Sequence, residues 1–216
     1  MSDHLRLADE PAQLTVVTRE TVYHGSVWDV RRDRVDLGDG QTVTREVVVH
    51  TGAVGIIALD DEDRVLLLRQ YRHPVRAYLW EPPAGLLDVK GESALDCARR
   101  ELAEEAHLRA DEWHVLVDFY NSPGGSTEAF RCFLARRLHP VPEHERHEGE
   151  GEERDMPSTW VPLEEARDLV LAGRLHNPTA VAGILAAVVG RDLGWSRLRA
   201  ADSPWPQRSA GRWGDG

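Results

Sequence analysis

The chain has 216 residues, of which 37 are acidic and 26 are basic, so its formal net charge is −11. This balance disfavours a nucleic-acid partner, because phosphate backbones are bound by clusters of Lys and Arg. No apolar run reaches the ~18 residues that a membrane span requires, so we expect no membrane partner. The two cysteines, Cys97 and Cys132, are expected to be buried free thiols, which fits a reducing cytoplasm.

The N-terminal region is predicted to form a small antiparallel β-sheet. Residues 1–12 are polar and are expected to be loose. Three β-rich segments follow, at residues 14–23, 26–37 and 42–50. Gly38-Asp39-Gly40 is a turn signal between the last two segments. A sheet of this size is not stable alone, so we expect residues 13–42 to pack on the rest of the chain or on a second subunit.

Two nearly continuous apolar segments come next, AVGIIAL at residues 53–59 and VLLLR at residues 65–69. Their length and composition predict central strands that are covered on both faces. Just after the second segment, Arg69 and Arg72 bracket Tyr71. This arrangement suits contacts to a phosphate and a ring, and it suits a simple capped strand end equally well.

The segment from Gly85 to Leu108 contains a short helix that is dense in carboxylates. Ser93 is placed as its N-cap, with Asp96 three residues on. Apolar residues at helical spacing form one stripe: Leu95, Ala98, Leu102 and Ala106. Beside the stripe, at positions i, i+3 and i+4, lie three carboxylates: Glu101, Glu104 and Glu105.

Three like charges this close repel, and each such pair destabilises an isolated helix by about 0.2–0.5 kcal/mol. A hard divalent cation would remove the repulsion, because Mg²⁺ and Mn²⁺ prefer a few carboxylates together with phosphates and water. The alternative is an ordinary solvated face, since most Glu-rich helix faces are paired with Lys or Arg.

The spacing of the whole segment favours the metal interpretation. Gly85 is followed by a six-residue loop, Glu92, seven residues, and then RELAEEAHL from Arg100 to Leu108. This resembles the signature box of the Nudix hydrolases: Gly, five residues, Glu, seven residues, then R-E-apolar-x-E-E-x-G-apolar. Two positions depart from it. The first loop is one residue longer, and His107 replaces the Gly that would end the helix in a left-handed conformation, which His also tolerates.

The resemblance implies a fold, a metal site and a reaction. The fold is α/β, a Nudix-type α/β/α sandwich with a mixed sheet over residues 43–190, plus the small N-terminal antiparallel element. The implied metal is Mg²⁺ or Mn²⁺. Its implied ligands are the Ala84 carbonyl and the carboxylates of Glu101, Glu104 and Glu105. The implied reaction is hydrolysis of a pyrophosphate bond, with Glu101 and Glu105 among the catalytic residues.

Two loops beyond the box resemble the ADP-ribose pyrophosphatase branch. Pro123 lies sixteen residues after His107, within SPGGSTE at residues 122–128. That stretch resembles the substrate loop of the branch, although a plain turn is the alternative. The acidic run at residues 143–155 resembles a loop that supplies a catalytic glutamate. The two candidates for it are Glu153 and Glu152, and the candidate substrate contacts are Arg45, Arg72, Gly124 and Glu128.

The C-terminal part is predicted to contain a strand and two helices. The strand covers residues 159–163, and a helix follows to Ala172 with Gly173 as its stop. Asn177 and Pro178 open a second helix to Val189, closed by Gly190. Residues 191–216 have the composition of a disordered tail.

The resulting hypothesis is a cytoplasmic homodimer that hydrolyses ADP-ribose to AMP and ribose 5-phosphate. The dimer is implied by the N-terminal strands, which resemble the extra sheet through which ADP-ribose pyrophosphatases pair. One alternative is a pyrophosphatase for another nucleoside diphosphate derivative, such as a sugar nucleotide or NADH. The others are a non-catalytic ADP-ribose-binding Nudix module and an acidic interaction module.

Overall fold

The computed structural model describes residues 7–146 and 156–210. The strands are β1 Thr15–His24, β2 Asp29–Asp36, β3 Thr42–Val49, β4 Ala53–Ala58, β5 Arg64–Arg72, β6 Ala77–Glu81, β7 Ala84–Leu86, β8 Leu108–Tyr120, β9 Ala129–Pro140, β10 Ser158–Pro162 and β11 Arg199–Ala200. The helices are α1 Ala94–Ala106, α2 Leu163–Leu171, α3 Pro178–Asp192 and α4 Pro206–Ala210. No helix in these two ranges is long and apolar enough to cross a membrane.

The N-terminal strands form the predicted small sheet. β1, β2 and β3 pair antiparallel in that order, and Asp33 of β2 lies opposite Arg45 of β3. The strand bounds agree with the predicted ones to within three residues. Most side chains of β1 are exposed, as an element with little covering of its own would show.

The predicted pair of apolar strands are β4 and β5, which belong to different sheets. β4 lies in a five-stranded sheet of order β11-β8-β9-β4-β7, where its pairing with β9 is parallel and the other pairings are antiparallel. β5 is the middle strand of an antiparallel sheet of order β10-β5-β6. The mixed sheet is confirmed, and all six residues of β4 are buried.

Helices cover both faces of the five-stranded sheet. Ile57 of β4 packs with residues of α2 and α3, whereas its neighbour Ile56 packs with Leu102 of α1. In β9, Leu134 packs on the same side as Ile57, and Phe133 packs on the same side as Ile56. Successive strand residues point to opposite faces, so this alternation defines two cores. The predicted α/β/α sandwich is confirmed.

Both ends of α1 match the prediction. The Ser93 hydroxyl accepts a hydrogen bond from the Asp96 amide at 3.1 Å and caps the N-terminus. His107 ends the helix with φ of 53°, in the left-handed region, and its amide donates to the Leu102 carbonyl. A non-Gly residue with this φ is uncommon, so His107 performs the geometric task of the Gly in the family pattern.

The C-terminal segment differs from the expected tail. α3 continues to Asp192 and includes Gly190, and β11 pairs with β8. Arg131, which is 2% exposed, donates to the carbonyls of Ser203 and Pro204, and its guanidinium lies 4.7 Å from the Trp205 ring centroid. Disorder is therefore the wrong prediction for residues 191–210. The composition resembled that of a tail, but a buried arginine holds the segment in place.

Candidate active site

The carboxylates of the box lie at the C-terminal end of α1, directly against β7. A Cβ atom added at Gly85 would lie 2.0 Å from Oε1 of Glu101. The carboxylate of Glu105 accepts a hydrogen bond from the Ala84 amide at 2.9 Å. Glu105 thus meets the amide of Ala84, whereas the prediction concerned the Ala84 carbonyl as a metal ligand, and that role stays a prediction. The close approach of Glu101 to the strand depends on the absence of a side chain at Gly85.

Arg100 relieves the repulsion that the sequence predicts. Its guanidinium donates to both carboxylate oxygens of Glu92 at 2.9 and 3.1 Å, to Glu101 at 2.7 Å and to Glu104 at 3.0 Å. Its hydrogen bonds to Glu92 lower the pKa of that carboxyl, and they are the largest cause of a raised pKa for Arg100. Three carboxylates are thus arranged around one cation of the chain itself.

The oxygen donors of the box match a divalent cation in chemistry but not in their present arrangement. Within residues 7–146 and 156–210, no group of three or more His, Cys, Asp and Glu side chains is arranged to hold a metal ion. Glu101 and Glu104 are turned towards Arg100, and Glu105 is turned towards the Ala84 amide. The donors are all oxygens, as Mg²⁺ and Mn²⁺ prefer, so they fit in chemistry and require side-chain rotation to converge on an ion.

Arg72 lies beside the box, in contact with a carboxylate that the sequence analysis missed. Its Nε and Nη2 atoms lie 3.2 and 2.7 Å from the oxygens of Glu81, which is 3% exposed. Burial raises the pKa of Glu81, and the charge of Arg72 opposes that shift. Arg72, Glu81, Ala84, Glu105 and Met156 share a small cavity of about 10 Å³. The sequence signal that could have indicated Glu81 is a single acidic residue at the end of the apolar strand AYLWE.

The loop at residues 122–128 is attached to β3. The Val48 amide donates to the Gly125 carbonyl at 2.8 Å, and the Thr127 amide donates to the Val48 carbonyl at 3.0 Å. The His50 amide donates to Oγ1 of Thr127 at 2.9 Å. The loop is therefore held by β3 on one side, which is more structure than a plain turn requires.

A cavity of about 470 Å³ lies between this loop and the N-terminal sheet. Its lining includes Asp33, Arg45, Tyr120, Pro123 and Gly124. The volume falls in the range of small-molecule sites, about 300–1,000 Å³. Two of the predicted substrate contacts, Arg45 and Gly124, are thus brought together, whereas Arg72 lines the other cavity.

Glu128, at the end of the loop, faces His50. Its Oε1 atom lies 3.9 Å from Nε2 of His50, whose Nδ1 accepts a hydrogen bond from the Gly52 amide. Burial lowers the pKa of His50, and the charge of Glu128 opposes that shift. The ring of His50 stacks on Trp28 from the N-terminal region, with centroids 6.4 Å apart. The sequence analysis named neither ring. Its two candidates for the catalytic base, Glu153 and Glu152, lie outside the described residues.

Comparison with known proteins places the chain in a family. A family model described as NUDIX domain matches residues 49–181. The chain is 44% identical over 192 residues to an ADP-ribose pyrophosphatase of Mycobacterium tuberculosis, covering 89% of this chain and 91% of that protein. It is 36% identical over 161 residues to an ADP-ribose pyrophosphatase of Bacillus subtilis, covering 74% and 85%. The chain therefore belongs to the Nudix family and is a hydrolase.

A solved structure supports the fold. The chain superposes on a crystal structure of an ADP compounds hydrolase with a TM-score of 0.73 and 24% identity, covering 88% of this chain and all of the other. The predicted family resemblance is confirmed. Nudix hydrolases generally use divalent metal ions, so the oxygen donors of the box have the chemistry that the family requires.

Replacing Gly85 with Ala should disrupt the box, because the new Cβ would lie 2.0 Å from Oε1 of Glu101 and displace that carboxylate. We expect kcat/KM on a pyrophosphate substrate to fall by about 10²-fold, the cost of a displacement of about 1 Å at a reacting centre. Steady-state kinetics at matched fractions of folded protein give the comparison.

Gly183→Ala is the matched control, because its Cβ would lie 2.7 Å from Ile57 in the core, away from the box. It should lower stability by about 1–3 kcal/mol as overpacked cores do, with kcat/KM of the folded enzyme unchanged. Equal kinetic losses in the two variants would show that Gly85 has no special relation to the glutamates.

Proposed function

We propose that this chain hydrolyses the pyrophosphate bond of ADP-ribose with the help of Mg²⁺, giving AMP and ribose 5-phosphate. The observation that carries the proposal is the placement of the box carboxylates of Glu105 and Glu101 against Ala84 and Gly85. The 44% identity to an ADP-ribose pyrophosphatase, which extends over 89% of the chain, supports the choice of substrate.

The chemistry required follows from the charge of the substrate. The oxygens of a pyrophosphate are anionic and repel a nucleophile. A divalent ion held by Glu101, Glu104, Glu105 and the Ala84 carbonyl would neutralise that charge and favour deprotonation of the attacking water. Mn²⁺ has the same ligand preference. Arg100 orients the glutamates through its four carboxylate contacts.

The remaining roles are assigned by position. Glu153, or else Glu152, accepts the proton of the attacking water as general base. Arg72 lies beside the box, where it can bind a phosphate oxygen. Arg45, Gly124 and Glu128 surround or adjoin the larger cavity and contact the nucleoside part of the substrate.

A sugar nucleotide or NADH is the main alternative substrate, because the box addresses the diphosphate and leaves the attached groups open. A non-catalytic ADP-ribose-binding module is less well supported, since such a module would be expected to lack box carboxylates. Here the three helix glutamates are all present at family spacing.

The same proposal includes a homodimer in the cytoplasm. The N-terminal region, residues 13–42, exposes a group of apolar side chains: Leu14, Val17, Val22, Tyr23, Val27, Trp28 and Leu37. A concentration of exposed apolar side chains in one small element favours an interface there, and a second copy of the chain would cover them. Light scattering should give twice the chain mass of 24.2 kDa. A mass equal to that of one chain would contradict the proposed dimer.

The proposed location in the cytoplasm is supported by the two cysteines. Cys97 and Cys132 are buried free thiols, in keeping with a reducing compartment.

The direct experiment is a panel of nucleoside diphosphate derivatives incubated with Mg²⁺, with products identified by mass. AMP and ribose 5-phosphate should form from ADP-ribose at a higher kcat/KM than products from the other compounds, and a chelator should stop the reaction. A higher kcat/KM for a sugar nucleotide or NADH would show that this compound, and not ADP-ribose, is the preferred substrate. If no compound of the panel is hydrolysed, the proposed enzymatic function is wrong.

Glu105→Gln should keep the fold and remove most activity, because Gln is tolerated in helices and the lost group is a metal-binding charge. Turnover should fall below about a tenth of the wild-type value, which corresponds to ~1.4 kcal/mol in the barrier. The control is Glu165→Gln, an exposed glutamate of α2. Equal turnover in both variants would mean that Glu105 is not a principal ligand.

Glu153→Gln should lower turnover by about 10²–10⁴-fold, the usual range for loss of a general base. Binding of ADP-ribose and Mg²⁺, followed by calorimetry, should survive because the box is untouched. Glu152→Gln should then be mild. The reverse order of the two variants would move the role to Glu152, and near wild-type turnover in both would place the base elsewhere.

A further inference from the structure

Glu81 is a buried carboxylate that lies outside the box. It ends β6 and is 3% exposed. A buried charge is costly unless it is paired and hydrogen-bonded. The buried carboxylate of Glu81 therefore needs partners, and two different elements of the structure supply them.

The first partner is Arg72, at the end of β5. Its Nε and Nη2 atoms lie 3.2 and 2.7 Å from Oε2 and Oε1 of Glu81. The Nε–Oε2 contact is a hydrogen bond, whereas the Nη2–Oε1 contact is an ion pair in which Oε1 accepts no hydrogen bond from the described residues. This two-pronged contact restrains the guanidinium at two points. The side chain of Arg72 is still 43% exposed while that of Glu81 is 4% exposed. The pair is thus anchored at its inner side and accessible at its outer side.

The second partner is Asn177, the N-cap of α3. Its Oδ1 accepts from the Ala180 amide at 3.0 Å, which leaves its Nδ2 to donate to Oε2 of Glu81 at 2.5 Å. The amide of Asn177 therefore has one orientation that satisfies both contacts. The N-terminal end of a helix also favours a nearby negative charge. Glu81 is held by the fold independently of Arg72.

The Arg72–Glu81 pair lies beside the box, and this location indicates what the pair does. Arg72 and Glu81 line the same small cavity as Ala84 and Glu105. Arg100 shows what a guanidinium does beside these glutamates, since it pairs with Glu101 and Glu104 at 2.7 and 3.0 Å. Without Glu81, Arg72 would be attracted to the carboxylate of Glu105 in the same way and would occupy a group that the proposed reaction needs.

We infer that Glu81 is a positioning residue: it holds the guanidinium of Arg72 beside the box, facing the substrate phosphate, and keeps it away from Glu105. The inference rests on the proposed function. It adds a residue outside the signature box whose effect on the reaction passes entirely through Arg72.

A double-mutant cycle measures this dependence. Glu81→Gln, Arg72→Gln and the double variant are compared with wild type by kcat and KM for ADP-ribose at saturating Mg²⁺. Glu81→Gln should lower kcat/KM by at least about 10-fold, because misplacing a substrate-orienting group by about 1 Å costs on the order of 10² in rate. The double variant should be no worse than Arg72→Gln alone, since groups that act as a unit are not additive.

The matched control is Asp118→Asn. Asp118 makes a similar buried pair with Arg131, with side chains 8% and 3% exposed, at the place where the C-terminal segment packs. It should lower the melting temperature as much as Glu81→Gln does, and leave kcat/KM unchanged. If Glu81→Gln acted only by lowering stability, the two variants would show the same kcat/KM. If Glu81 positions Arg72, only Glu81→Gln loses kcat/KM.

Three results would overturn the inference: wild-type kinetics in Glu81→Gln, multiplicative losses in the cycle, or an equal kinetic loss in Asp118→Asn. If Glu81→Gln does not fold, Arg72→Lys decides, because it keeps the charge at a partly exposed site and removes the two-pronged contact; wild-type kinetics there would likewise overturn it. A wild-type chain inactive on every diphosphate refutes the proposed function itself, whereas an active wild type with these results refutes the inference alone.

Discussion

The crowding of negative charge at the end of α1 is the constraint on which the rest of the site depends. Glu101, Glu104 and Glu105 repel one another, and they lie near a helix C-terminus, where the helix dipole also disfavours negative charge. No basic residue lies in the last turn to offset this. A fold that keeps such a helix end must bring positive or hydrogen-bonding groups from elsewhere.

The chain supplies these groups from several elements. Arg100, from the preceding turn, binds two of the glutamates together with Glu92. The Ala84 amide of β7 binds the third, and the missing side chain of Gly85 lets the strand come close enough. These contacts satisfy the crowded carboxylates with groups of the chain itself. The same groups thus explain how the fold tolerates three like charges at this helix end.

The surroundings of the box are organised by a second pair of charges and by one strand. Glu81 keeps Arg72 beside the glutamates without neutralising them, and it ties β6 to the N-terminus of α3. On the other side, β3 carries Arg45, and Val48 of β3 together with the following His50 holds the loop at residues 122–128. β3 therefore belongs to the N-terminal sheet and also shapes the larger cavity, so a change in the packing of that sheet would change that cavity.

Local sequence determined the parts of this protein whose physics is local. The cap at Ser93, the left-handed end at His107, the apolar strands β4 and β5 and the spacing of the helix glutamates all depend on neighbours within a few residues. The family resemblance added the α/β/α arrangement of these elements. The helix fixes the relative positions of Glu101, Glu104 and Glu105, whereas their roles as metal ligands stay predictions.

Tertiary structure alone decided the contacts between residues far apart in the chain. Glu81 meets Asn177 across 96 positions, and Arg131 meets Ser203 across 72. The first contact explains a buried carboxylate beside the box. The second orders a segment whose composition predicted disorder. No local pattern encodes such pairs, because the cost of burying a charge is offset only when folding brings its partner within hydrogen-bond distance.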